Sequence, residues 1–191
     1  MVTNGKTVII FSGRFQPFHK GHAAMYAALQ RQFPDADVWL ATSNKVAPDS
    51  PFNFAERKFL AELCGIPSNR ILEVKNPYIA SEILENYNGQ QDKVIFALSE
   101  KDIDRLKFGL KKDGTPSYLQ KYETNKLMKT FDGHAYVTAM PVVSFKIAGN
   151  IITSATDIRT MLSNTQLKNQ VLNDLFGNNA DQAASIIANH F

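Results

Sequence analysis

Apolar positions along the chain follow two rhythms. Short, nearly unbroken runs recur at Thr7–Phe11 (TVIIF), Asp37–Thr42 (DVWLAT), Ile71–Val74, Lys93–Leu98 (KVIFAL) and Ala135–Met140 (AYVTAM). Runs of this length without alternation are expected of strands covered on both faces. Between them the apolar residues are spaced as on helices. Ala23–Phe33 carries Ala24, Tyr26, Ala27, Ala28 and Leu29, and Pro34-Asp35 ends it. Asn53–Cys64 turns Phe54, Phe59, Leu60 and Leu63 inward, and Pro77–Tyr87 opens on a proline, as helices often do. Leu119–Thr130 is also read as helical, as is the part of Asn150–Leu162 that follows an N-cap at Ser154, and Phe145–Ile147 as a short extended piece. A strand, a helix and a strand within Thr7–Thr42 form a βαβ unit, which makes the sheet parallel. The expected fold class is α/β, a parallel sheet of about five strands flanked by helices. One domain is expected over residues 1–163, with residues 164–191 as a short helical tail packed on it. Gly177-Asn178-Asn179 divides that tail into two helices.

Composition narrows the function classes. A chain of 191 residues with 44% hydrophobic content suits one domain with a full core. Its single cysteine, Cys64, rules out an intramolecular disulfide, and its apolar setting (FLAELCGIP) reads as core. No apolar run approaches a membrane span and no secretory signal is visible, so a cytoplasmic location and no membrane partner are expected. The net charge of +3 is small and no basic tract appears, so no nucleic-acid partner is expected. The oligomeric state is left open, a homo-oligomer included.

The charge that matters is local. Gly13–His22 (GRFQPFHKGH) joins the first strand to the first helix and packs Arg14, His19, Lys20 and His22 around that helix start. A helix N-terminus carries about half a positive charge, so cations there are unfavourable unless an anion joins them. A bound polyanion would account for the pattern, with backbone N–H groups and side chains sharing it. His19 and His22 are three apart and share a helix face, and Gly21 would let a phosphate approach the backbone. Two such histidines also suit a helix cap or a metal. In open parallel sheets ligands sit beyond the carboxyl ends of strands, where this loop lies.

Three further stretches reach the same edge. Arg57 and Lys58 fall in the second turn of the Asn53–Cys64 helix, either as a solvated pair or as anion contacts. Ser99–Arg105 (SEKDIDR) follows the Lys93–Leu98 strand, with charges that are either ligands or solvated, Glu100 and Asp104 reading as solvated. Phe108–Tyr118, rich in Gly, Pro and polar residues, reads as a long loop or lid. In Asn150–Leu162, Ser154 and Asp157 form an N-cap pair, and Ile158, Met161 and Leu162 an apolar stripe. Arg159, one turn in, opposes the helix dipole and suits a second phosphate contact.

HKGH resembles the H-x-G-H signature of the nucleotidylyltransferase superfamily. The full GRFQPFHKGH is similar to the opening motif of archaeal-type nicotinamide mononucleotide adenylyltransferases and of the related domain in bacterial NAD regulators. PFNFAER resembles that family's P-F-x-x-x-E-R stretch, and ITSATDIR its second signature. The resemblance implies a Rossmann-like domain that transfers the adenylyl group of ATP to nicotinamide mononucleotide, releasing pyrophosphate. By the same resemblance His19, His22 and Arg159 would be catalytic. Gly13, Arg14, Phe15, Lys20, Gly21, Ser154 and Thr156 would hold ATP, with Arg57 and Tyr78 on the acceptor. Mg²⁺ would ride on the nucleotide phosphates, with no protein metal cage expected. The partners implied are ATP and a small phosphorylated acceptor. The chain departs from the pattern in the middle. Its one tryptophan, Trp39, lies inside a strand instead of after the third strand, where relatives stack an aromatic on nicotinamide, and Tyr78 is the substitute. A phosphopantetheine adenylyltransferase, a cytidylyltransferase and a non-catalytic nucleotide sensor are the alternatives.

Overall fold

A computed structural model describes residues 5–191 of the chain. Its centre is a six-stranded, wholly parallel sheet: β1 (Thr7–Ser12), β2 (Asp37–Thr42), β3 (Ile71–Glu73), β4 (Lys93–Ser99), β5 (Leu119–Lys121) and β6 (Ala135–Met140), in the order β3-β2-β1-β4-β6-β5. β1 lies between β2 and β4, with Ile9 opposite both Val38 and Ile95. That central place explains its unbroken apolar run. Ile9 and Phe11 face one core, Val8 and Ile10 the other, and none of Val8, Ile9 and Ile10 is exposed. Burying each such side chain is worth about 1.5–3 kcal/mol.

Helices cover both faces. On one lie α1 (Lys20–Gln32) and α2 (Phe54–Leu63), together with α4 (Ala155–Leu162), α5 (Lys168–Phe176) and α6 (Ala180–Ile187). Leu29, Leu60, Ile158, Val171, Leu175 and Ile187 join the same core as Ile9. The single-turn α3 (Ser81–Leu84) closes the other face through Ile83, which packs with Val94 and Phe96. A small antiparallel hairpin, β7 (Phe145–Ile147) and β8 (Asn150–Ile152), leads into α4. Its two-residue turn, Ala148-Gly149, has φ of 47° and 79°, the paired positive values that a tight hairpin requires. Among the described residues no helix is long and apolar enough to cross a membrane.

The chain moves outward from β1 through β2 to β3, then returns to β4 on the other side. Strand order therefore reverses between β1 and β4, and a crevice opens beyond their carboxyl ends.

The parallel α/β sheet is present as expected, and two element readings are corrected. The sheet has six strands, because Leu119–Lys121 pairs with Ala135–Val137 as an edge strand instead of starting a helix over Leu119–Thr130. Leu119 packs against the core with Val137, and Leu127, which a helical stripe would have buried, is 99% exposed. The helix read over Pro77–Tyr87 shrinks to Ser81–Leu84, because Ala80 takes φ 50° and Asn76 Oδ1 accepts the Tyr78 N–H in a turn. The tail divides at Gly177–Asn179 as expected.

Candidate active site

The loop after β1 is locked before α1 begins. Gly13 N donates to Ala41 O (3.2 Å), and the Gln16 side chain bonds both backbone groups of Phe52 (2.8 and 2.9 Å). Phe15 sits at φ 49°, 3% exposed, its ring edge-on to Phe11 and 5.0 Å from His22. Arg57, expected on the acceptor, is engaged within the protein. It is 1% exposed and donates to Asn53 O (3.1 Å), Arg14 O (3.0 Å), Thr42 Oγ1 (2.7 Å) and Ser43 O (2.5 Å). Four of its five N–H donors thus hold backbone and hydroxyl oxygens, pinning the β1 loop to the end of β2. Burial lowers its pKa to about 10, so it stays cationic at neutral pH. It lies outside the main cleft, beside a smaller cavity of about 180 Å³.

The two histidines cap α1 reciprocally. His19, the N-cap, accepts the Gly21 N–H at Nδ1 (3.1 Å), and His22 Nδ1 accepts the His19 N–H (3.3 Å). Their rings stack at 3.7 Å. His22 keeps an edge toward the cleft while Phe11, Phe15 and Phe18 enclose the rest of it. Burial holds the His19 pKa well below the usual histidine value, with smaller contributions from the nearby His22 and Lys20. Burial alone lowers that of His22 to about 3. Both rings are therefore neutral at pH 7. Since each Nδ1 accepts from backbone, geometry assigns the proton to Nε2, leaving two N–H donors for a ligand in the cleft. The cap reading of the sequence is thus correct, and it leaves room for an anion site. The charge argument applies to the arginines instead of the histidines.

Two residues expected to contact ATP make contacts within the protein, Gly21 at the edge of the cleft and Lys20 outside it. The Gly21 N–H is taken by His19, and glycine is needed there because a Cβ would lie 2.7 Å from the Phe145 ring and 3.0 Å from His19. Lys20 turns away from the cleft, donating to Asp174 O (2.7 Å) on α5 and lying 5.0 Å over the Phe145 ring.

The facing groups come from α4. Ser154 is its N-cap, accepting the Asp157 N–H (3.3 Å) and donating to Asp157 Oδ2 (2.8 Å). Arg159 donates to Gln16 O (2.6 Å) and Thr156 Oγ1 (3.1 Å), joining α4 to the β1 loop. Burial first, then the charge of Arg14, lowers the pKa of Arg159. Arg14 itself reaches Asp49 (3.0 Å) at the rim. Arg14 and Arg159 thus bring two like charges to this side of the cleft.

Gly13, Arg14, Phe15, His19, Gly21, His22, Tyr78, Ser154, Thr156 and Arg159 all border one cleft of about 250 Å³; Lys20 and Arg57 do not. Lys101, Asp102 and Arg105 border it too, a contribution that sequence reasoning left undecided. Their signal was position, directly after a strand that ends at the crevice. Glu100 instead accepts the Val142 N–H (3.3 Å), and Asp104 is exposed. Tyr78 is held in place because Ser12 Oγ donates to Pro77 O (2.6 Å), and its hydroxyl accepts from Arg105 (3.0 Å). Trp39 stays in the sheet, donating to Tyr87 Oη (2.8 Å) under Arg70.

Solved structures share this fold. A bifunctional NMN adenylyltransferase/ADP ribose pyrophosphatase from Francisella tularensis superposes with a TM-score of 0.55 at 15% identity, over 96% of this chain and 52% of that one. The same bifunctional protein in complex with AMP and a manganese ion gives 0.52 at 18% identity, over 97% and 52%. The chain thus spans about half the length of the Francisella protein. Plasmodium falciparum nicotinic acid mononucleotide adenylyltransferase, complexed with NaAD, gives 0.56 at 10% identity, over 94% and 95%. No curated protein matches by sequence. At these identities the likeness is one of fold. The family model described as cytidylyltransferase-like matches residues 10–161, from β1 through the Arg159 turn of α4, and the chain therefore belongs to the cytidylyltransferase-like family of nucleotidyltransferases.

Proposed function

We propose that the protein is an adenylyltransferase that joins ATP to nicotinamide mononucleotide, yielding NAD and pyrophosphate. The observation that carries this reading is the neutral histidine pair, with both Nδ1 atoms tied to backbone N–H groups and both rings facing a cleft with Arg159. An oxygen of the acceptor phosphate attacks the α-phosphorus of ATP. The bond from that phosphorus to the bridging oxygen breaks, and pyrophosphate leaves with the electron pair. The attacking phosphate is already anionic, so no general base is required. Nε2–H of His19 and of His22 donate to the α-phosphate and the bridging oxygen, where charge accumulates. Neutral rings donate hydrogen bonds without transferring a proton.

Arg14, Arg159, Ser154 and Thr156 hold the β- and γ-phosphates, and Tyr78 meets the acceptor base. Positioning and charge stabilisation then supply the acceleration. Magnesium would ride on the triphosphate and offset its charge. Asp102 in the main cleft and Asp49 in the smaller cavity are each paired with an arginine, and no group of three or more candidate ligands occurs among the described residues.

Pyrophosphate release with ATP and Mg²⁺ tests the reading across acceptors. Release with nicotinamide mononucleotide, with NAD formed in step, supports it. Release only with phosphopantetheine, or only with CTP and a phosphorylated alcohol, refutes this substrate assignment and keeps the superfamily chemistry.

A further inference from the structure

Lys101, Asp102 and Arg105 line the cleft, yet none belongs to the phosphate grip described above. Lys101 Nζ lies 3.3 Å from Thr153 O, beside the start of α4, and so sits with the phosphate-binding groups. Asp102 and Arg105 do not. Arg105 Nη2 is 2.8 Å from Asp102 Oδ1, and Nη1 is 3.0 Å from Tyr78 Oη. The three side chains form one row, built from the loops after β3 and β4. The arginine and aspartate are 40% and 42% exposed, open to a ligand.

The pair has no net charge. It leaves Asp102 Oδ2 as an acceptor beside the unused N–H donors of Arg105, next to an aromatic ring. A planar carboxamide offers the converse set, an N–H donor and a C=O acceptor. A carboxylate offers two acceptors and no donor, so it leaves Asp102 Oδ2 unpaired and sets a second negative charge beside the one that Arg105 already neutralises.

We infer that Asp102 and Arg105, with Tyr78, read the head group of the acceptor and select an uncharged carboxamide over a carboxylate. This rests on the proposed reaction, which assigns the opposite wall to phosphate and so leaves this one to the acceptor's base.

The test compares kcat/KM for nicotinamide mononucleotide and nicotinic acid mononucleotide, with ATP at neutral pH, in the unaltered protein and in Asp102→Asn. The unaltered protein is expected to prefer the amide by about tenfold or more, the scale of one lost polar pairing. Asp102→Asn keeps the side-chain shape and leaves Arg105 unbalanced. It should raise kcat/KM for the nicotinate, chiefly through KM, and reduce the preference about tenfold. Such a gain cannot come from a damaged fold. An unaltered protein that prefers the nicotinate, or a preference unchanged in Asp102→Asn, overturns this inference while adenylyl transfer stands. Absence of turnover with either mononucleotide overturns the proposed reaction, and this inference with it.

Discussion

The wall built by α1 holds its functional groups by burial, whereas the wall that follows β4 holds them by ion pairing in contact with solvent. His19 is 7% exposed, stacked on His22 and tied to backbone at Nδ1, so neither ring is free to turn. Arg105 and Asp102 are about two-fifths exposed and held to each other and to Tyr78. A surface ion pair of that kind is worth about 0–1 kcal/mol, so a ligand exchanges into it at small cost. Chemistry needs donors that do not move as charge shifts, because reorganisation adds to the barrier. Selection needs groups that let go of one partner for another. Under the proposed reaction the cleft would separate the two requirements by wall.

Variants on the two walls sharpen this contrast, and the largest effect is expected on the buried one. His22→Ala removes one preset donor and should lower kcat by about 10²–10³-fold, the usual consequence of deleting a transition-state donor. KM for the acceptor should change little. The check is steady-state kinetics beside circular dichroism, since the cap bond lost with the ring also costs about 1 kcal/mol of stability. A variant that folds and keeps its kcat would remove His22 from the chemistry.

Arg57 divides structural from functional cation. Truncation to Ala would leave Arg14 O, Thr42 Oγ1 and Ser43 O without their donor. The expected loss is about 2–4 kcal/mol, since each buried acceptor left unpaired costs 1–3 kcal/mol and part of that is relieved by water. A shift of the urea midpoint measures it. If Arg57→Ala retained full stability and raised only the acceptor KM, the contact suggested by family resemblance would be the correct one.

These cases show where the sequence was legible. β1 is central, so its burial on both faces is written in consecutive apolar letters, and the Gly13–His22 loop keeps all its contributors within one stretch. Ser154 and Asp157 are likewise three residues apart and announce their cap. Arg57, by contrast, holds the carbonyl of Arg14, 43 residues away. Nothing in PFNFAER signals that partner. Lys101 and Arg105 became part of the cleft only because β4 lies beside β1 in the sheet, a neighbourhood set by topology. The edge strand at Leu119 was hidden because its pairing with β6 overrode a helix-like local pattern.

Next in size is the response to acid, which belongs to the buried wall alone. The folded His22 titrates near 3 against an ordinary value of 6.5, so below pH 6.5 the unfolded chain binds a proton that the folded chain refuses. Its contribution to stability is complete above 6.5 and falls as pH drops through that value toward 3. At pH 5 the loss reaches up to about 2 kcal/mol, and His19, shifted in the same direction, adds to it. Urea unfolding followed from pH 7.5 to 5 should show the midpoint falling, with a smaller slope in His22→Asn. An unchanged midpoint over that range would mean that the histidines are accessible to protons in the folded state.

The smallest effect is expected at Lys20, and its smallness is informative. Lys20 stands inside the motif between the two histidines of the cleft, so proximity in sequence alone would give it a phosphate. Its ammonium instead meets Asp174 O and the face of Phe145, which tie the first turn of α1 to α5 and to β7. Lys20→Met preserves the length and apolar stem of the side chain while removing the charge. A charge-assisted hydrogen bond and a half-buried cation–π contact together contribute about 1–2 kcal/mol, so the variant should unfold at lower urea. Its kcat/KM should stay within about twofold, because nothing that faces the cleft has moved. A rise of tenfold or more in the ATP KM would show that Lys20 swings from α5 to the triphosphate on binding. The α1 wall would then contain an exchangeable contact of the kind that otherwise belongs only to the wall after β4.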